Sequence, residues 1–152
     1  MSLREQVVER LFVLSAAAAV LMAADLAVKA TIPTEPLHFH ERSNAWEALC
    51  VLVLLGALAL ARLPSRMVAL GAGVMSGGVA GNLISARWND SRVPNPLVVG
   101  DYPMWIAFNA ADVFILAGIL ILMVSSMAVS IRHRDRLVSP RQLLARIRPG
   151  RS

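Results

Sequence analysis

Residues 67–86 read MVALGAGVMSGGVAGNLISA, a run without a single charged side chain. Helical residues rise ~1.5 Å each, so ~20 of them cover the hydrocarbon core of a bilayer. An open strand would leave its amides unsatisfied in lipid, which makes helix the expected form. Gly73, Gly77 and Gly81 recur at every fourth position, with Gly78 beside them. That spacing lays three glycines on one face and lets a second helix approach closely. This helix is therefore expected at the centre of a bundle.

Working outward, three more apolar runs are long enough to span, at 11–30, 45–61 and 105–131. The expected fold class is an all-α membrane protein with four transmembrane helices. Ser2 and Glu5 have capping-box spacing at the start of the first. Arg62 and Arg66 bracket Pro64 in a tight turn between the second and third spans. The amino terminus, that turn and the carboxyl tail hold most of the cationic residues, so the positive-inside rule places both termini in the cytoplasm. The opposite side receives a small extracytoplasmic region made of two loops, 31–44 and 87–104. Residues 1–131 form the membrane domain, and 132–152 form a basic cytoplasmic tail. In the tail, Ser139, Pro140 and Pro149-Gly150 mark a short helix. Leu143, Leu144 and Ile147 among its arginines would lay that helix on the membrane surface.

Composition agrees. The chain has 152 residues, of which 57% are hydrophobic and 16% charged, the balance of one membrane-embedded unit. The net charge of +5 comes largely from Arg132, Arg134, Arg136, Arg141, Arg146, Arg148 and Arg151, beyond the last apolar run. Such a tail suits anionic lipid and sets topology, whereas a nucleic-acid site needs a folded basic face with base-reading groups. Nucleic acid is not an expected partner. The single cysteine, Cys50, lies in an apolar run and reads as packing. The first run carries Asp25 and Lys29 near its end, so it reads as a retained span and not as a cleaved signal.

Ionisable groups at membrane depth need partners or a purpose. Asp25 and Lys29 stand four apart and share a helix face, which fits a structural ion pair and a substrate-placing role equally well. Asp112 falls inside the fourth run, with Asn109 a turn earlier. Asp101 precedes that run, in Val98-Val99-Gly100-Asp101-Tyr102. Folded together, Asp101 and Asp112 would make a carboxylate dyad, one activating water and the other polarising a carbonyl. His38 and His40 flank Phe39. Ordinary interfacial residues are a better account of them than a metal site, which would need Glu35 or Glu41 as third ligand. Trp46 and Trp105 fit an interfacial aromatic belt. No metal or other cofactor is expected.

Three of these stretches resemble motifs of bacterial lipoprotein signal peptidases. They are Asp25-Leu26-Ala27-Val28-Lys29, Gly77-Gly78-Val79-Ala80-Gly81-Asn82 and Phe108-Asn109-Ala110-Ala111-Asp112. Their order and placement in the spans agree with that family from residue 11 to about 130. The resemblance implies an intramembrane aspartic endopeptidase of the bacterial inner membrane, monomeric and in contact with membrane lipid. It would remove the signal peptide of lipid-modified prolipoproteins on the amino side of the diacylglyceryl-cysteine. Asp112 and Asp101 would be catalytic. Asp25, Lys29, Asn82 and Asn109 would organise the site, with Asn44 and Arg87 as the nearest echoes of two further motifs. The chain departs from the family at Leu83-Ile84-Ser85-Ala86-Arg87, where an aspartate is lost and the arginine displaced. A second alignment sets Asn95, in Val93-Pro94-Asn95-Pro96, at the position of the other catalytic aspartate. An amide cannot serve as general base, so that alignment describes a non-catalytic relative binding lipidated peptide, lipid or a membrane partner. A four-helix transporter is a weaker third class, because the chain shows no internal repeat.

Overall fold

The computed structural model describes residues 2–101, 103–132 and 134. Four helices and four short strands follow one another: α1 (Leu3–Thr31), β1 (Phe39–Glu41), α2 (Asn44–Leu60), α3 (Arg66–Trp88), β2 (Arg92–Pro94), β3 (Leu97–Val99), β4 (Ile106–Phe108) and α4 (Ala110–Arg132). The tail helix expected after Ser139 lies outside the described residues.

Local chemistry sets the helix starts. Ser2 Oγ accepts from the Glu5 amide at 3.3 Å, and Glu5 Oε2 accepts from the Ser2 amide at 2.8 Å, completing the capping box. Ser43 and Ser65 cap α2 and α3 by accepting from the Trp46 and Val68 amides. α1, α3 and α4 are each long and apolar enough to cross a membrane. α2 has 17 residues, about 26 Å of helix.

α3 is the central helix. Its buried face is built of Gly71, Ala72, Gly73, Ser76, Gly77, Gly78, Gly81 and Asn82. A Cβ on Gly77 would stand 2.9 Å from the Ala18 carbonyl oxygen of α1, and one on Gly71 would stand 2.8 Å from Ile121 of α4. Large side chains instead face outward, among them Val20, Leu52, Leu116, Met123 and Val124. Small residues inside and bulky apolar ones outside is the pattern of a helical membrane protein, whose helices associate by close approach and not by hiding oil from water.

One expectation needs correction. The fourth helix begins at Ala110 and not at Trp105, because Ile106–Phe108 pairs as a strand with Leu97–Val99. The two loops are also joined: β1 of the first lies antiparallel to β2 of the second, with His40 opposite Val93. Pairing gives loop amides the partners they would otherwise have to seek from water. Asp90 and Ser91 make the turn into β2 with positive φ.

Candidate functional site

The ribbons lie at the end of the bundle where α1 and α3 finish and α2 and α4 start. Asp25 is 0% exposed there, and Lys29 Nζ donates to its Oδ2 at 2.7 Å. A buried ion pair persists only when its remaining polar atoms are satisfied. Lys29 Nζ also donates to Asn82 Oδ1 at 2.7 Å, and Asp25 Oδ1 accepts from the Ala111 amide at 2.8 Å. That amide belongs to the first turn of α4, where backbone N–H groups lack helical partners and the helix dipole favours an anion. A Cβ on residue 81 would stand 2.5 Å from Asp25 Oδ2, so the glycine stripe of α3 ends where the ion pair needs room.

Asn109 and Asp112 form a reciprocal cap around the start of α4. The Asp112 amide donates to Asn109 Oδ1 and the Asn109 amide donates to Asp112 Oδ2, each at 3.1 Å. The other oxygen of Asp112, Oδ1, accepts from Asn82 Nδ2 at 3.1 Å. Asn109 Nδ2 donates to Asn95 Oδ1 at 2.5 Å and to the Pro94 carbonyl at 3.3 Å. Asn95, 1% exposed, meets His40 Nδ1 at 2.8 Å through its own Nδ2. An amide nitrogen only donates, so this contact uses His40 Nδ1 as the acceptor. Asp25, Lys29, Asn82, Asp112, Asn109, Asn95 and His40 are thus joined in one unbroken chain of polar contacts.

Asp112 and Asn82 open into a cleft of about 180 Å³, lined also by Arg42, Trp46, Cys50 and Val79. The Arg42 guanidinium lies 5.0 Å from the Trp46 ring centroid. The cleft is mostly apolar, with one carboxylate and one guanidinium at its wall.

Five of the expected site residues, Asp25, Lys29, Asn82, Asn109 and Asp112, are brought together. Asp101 is placed elsewhere. It is exposed in the turn of the β3–β4 hairpin, where its carbonyl accepts from the Met104 amide and Gly100 supplies a φ of 93°. The register sets Leu97 against Phe108 at the base and Val99 against Ile106 nearer the tip. At ~3.3 Å per residue, the tip lies on the order of 10 Å from the base, where Asn109 and Asp112 begin. No hydrogen bond among the described residues joins Asp101 to Asp112. Asn44 and Arg87 sit on a different groove between α2 and α3, where Arg87 pairs with Glu47 at 2.5 Å.

The sequence marks His40 only as an interfacial residue and Arg42 only as the start of a motif echo through Trp46, and Cys50 is a cleft wall as well as packing. His38 packs edge-on against Trp105, with ring centroids 4.7 Å apart. Among the described residues, no three His, Cys, Asp or Glu side chains converge as a metal site.

No curated protein and no solved structure gives a significant match to this chain. The family model described as signal peptidase (SPase) II matches residues 39–128, which take in both ribbons, α2, α3 and most of α4. That stretch is more than half of the chain and contains Asn82, Asn95, Asn109 and Asp112, so the chain belongs to the signal peptidase II family.

Proposed function

We propose that this protein receives lipid-modified prolipoproteins at the Asp112 cleft, and that it holds them without an aspartic dyad of its own. Family membership supports the substrate class, since signal peptidase II acts on lipoprotein precursors. The observation that carries the non-catalytic part is the contact between Asn109 and Asn95. The buried side chain linked to the Asp112 turn from the segment between β2 and β3 is an amide, and an amide cannot take a proton from water. Asp112 and Arg42 would then anchor the peptide backbone, while the apolar wall of the cleft takes side chains.

A second reading, aspartic peptidase activity through Asp112 and Asp101, is favoured by the family itself. It requires the β3–β4 hairpin to fold its tip over the cleft when substrate binds, because a dyad works only with its carboxyl groups in contact.

The setting is also part of the proposal. Residues 1–131 cross a bacterial cytoplasmic membrane four times, with α2 as the short span. Residues 132–152 are a cytoplasmic tail, and the protein acts as a monomer. The arginine asymmetry supports that orientation, which puts the cleft near the outer interface, where a lipidated cysteine would sit.

The test is a purified diacylglyceryl-modified precursor incubated with the protein in lipid nanodiscs. Binding without release of the signal peptide is the expected result. Cleavage by wild type that is lost in Asp101→Asn would establish the second reading instead.

A further inference from the structure

At the opposite end of the bundle, one guanidinium nitrogen is buried without a partner among the described residues. Arg10 of α1 is 6% exposed, makes no hydrogen bond or ion pair among the described residues, and its Nε is fully enclosed. A buried guanidinium nitrogen without a partner is unfavourable, and an anion in the adjoining cavity would offset it. Arg10 lies about 11 Å along α1 from its start, two turns inside the amino-terminal end of the helix.

Arg10 lines a polar cavity of about 190 Å³ together with Gln6, Glu9, Ser65 and Arg66. Ser65 is the cap of α3, so the positive end of the longest-buried helix points into the same place. Glu9 offsets one charge by pairing with Arg66 at 2.5 Å, which leaves the Arg10 charge uncompensated. Ser65 and Arg66 also form the wall of a larger groove, about 830 Å³, that runs between α3 and α4. Its lining is apolar at Met67, Leu120, Ile121, Val124 and Ala128, and Arg132 closes its rim. An anion-seeking pocket thus adjoins an acyl-sized apolar groove across a shared Ser65–Arg66 edge.

We infer that this is a binding site for one anionic phospholipid, its phosphate held by Arg10, Arg66 and the start of α3, and an acyl chain laid in the α3–α4 groove. The charge complementarity decides the occupant, since the apolar groove alone would accept any lipid tail. Arg132 adds a second cation at the rim, matching a headgroup that carries net negative charge. The inference is independent of the reading of the Asp112 cleft.

Native mass spectrometry of the full chain, titrated with phosphatidylglycerol or phosphatidylcholine, tests it. Charge-assisted contacts to a phosphate of net negative charge should give about a 10-fold preference for phosphatidylglycerol. Arg10→Gln should reduce that preference to about 2-fold or less. Should Arg10→Gln fail to fold, the exposed Arg132→Gln and Arg66→Gln are read instead, and each should lower the preference about 3-fold. Equal affinity for the two lipids, or a preference untouched by the variants, overturns the proposal. Displacement of the bound lipid by millimolar inorganic phosphate would make the pocket a phosphate site and would equally overturn it.

Discussion

The side-chain amide of Asn109 donates to Oδ1 of Asn95 at 2.5 Å, so the buried group joined to the Asp112 turn from the segment between β2 and β3 is neutral. On the proposed reading, that neutral contact is why the cleft holds a substrate without cutting it.

Asn95→Asp tests this directly. The new carboxyl keeps the size and the accepting oxygen that Asn109 needs, and adds a group able to exchange a proton. We expect the variant to release signal peptide from a diacylglyceryl-modified precursor at a rate at least ~100-fold above wild type, the usual scale of one general base. Asp112→Asn in the same background should remove the gain. A gel assay on lipidated precursor measures both, and no gain from a folded Asn95→Asp would count against this assignment.

Lys29→Met should destabilise the bundle by roughly 3–5 kcal/mol, because it leaves Asp25 buried with its charge unmatched. Asp25→Asn added to Lys29→Met should recover part of that loss, since the two residues form one coupled unit. Thermal unfolding of all three variants in the same detergent reads the difference. Additive losses would show that the pair is not coupled.

Close approach of α3 to α1 makes Gly77 intolerant of size. Gly77→Leu should lower folded yield severely, as its first side-chain carbon would already stand 2.9 Å from the Ala18 oxygen. Gly56→Ala is the control: nothing lies within 4 Å of its added carbon, and alanine is the better helix former by ~1 kcal/mol. Size-exclusion profiles and melting temperatures should move in opposite directions for the two.

Orientation has its own readout. Reporter fusions after Arg132 should be active on the cytoplasmic side, and a cysteine introduced in place of Asp101 should react with an impermeant maleimide from outside. Cys50→Ser in the background removes the native thiol. Labelling of residue 101 from the cytoplasmic face would reverse the topology.

Features governed by short-range patterns and by the bilayer are readable along the chain. Apolar runs of helical length, the Gly73-Gly77-Gly81 stripe and the Ser2–Glu5 cap each depend on residues close in sequence. Asp25, Lys29 and Asp112, with Asn109 a turn earlier, also stand out as polar groups at membrane depth, whereas Asn82 is marked only by the resemblance to the family. Tertiary structure decided the rest. The start of α4 at Ala110 depends on Ile106–Phe108 finding Leu97–Val99, a pairing across a turn that hydropathy does not register. The place of Asp101 depends on hairpin register, which carries it to the tip and away from Asp112. Asn95 and His40 meet because two loops far apart in sequence pair as β1 and β2. Hydrophobic periodicity reports which face of an element is buried, but which amide or carboxylate stands opposite Asp112 is fixed only when separate elements dock.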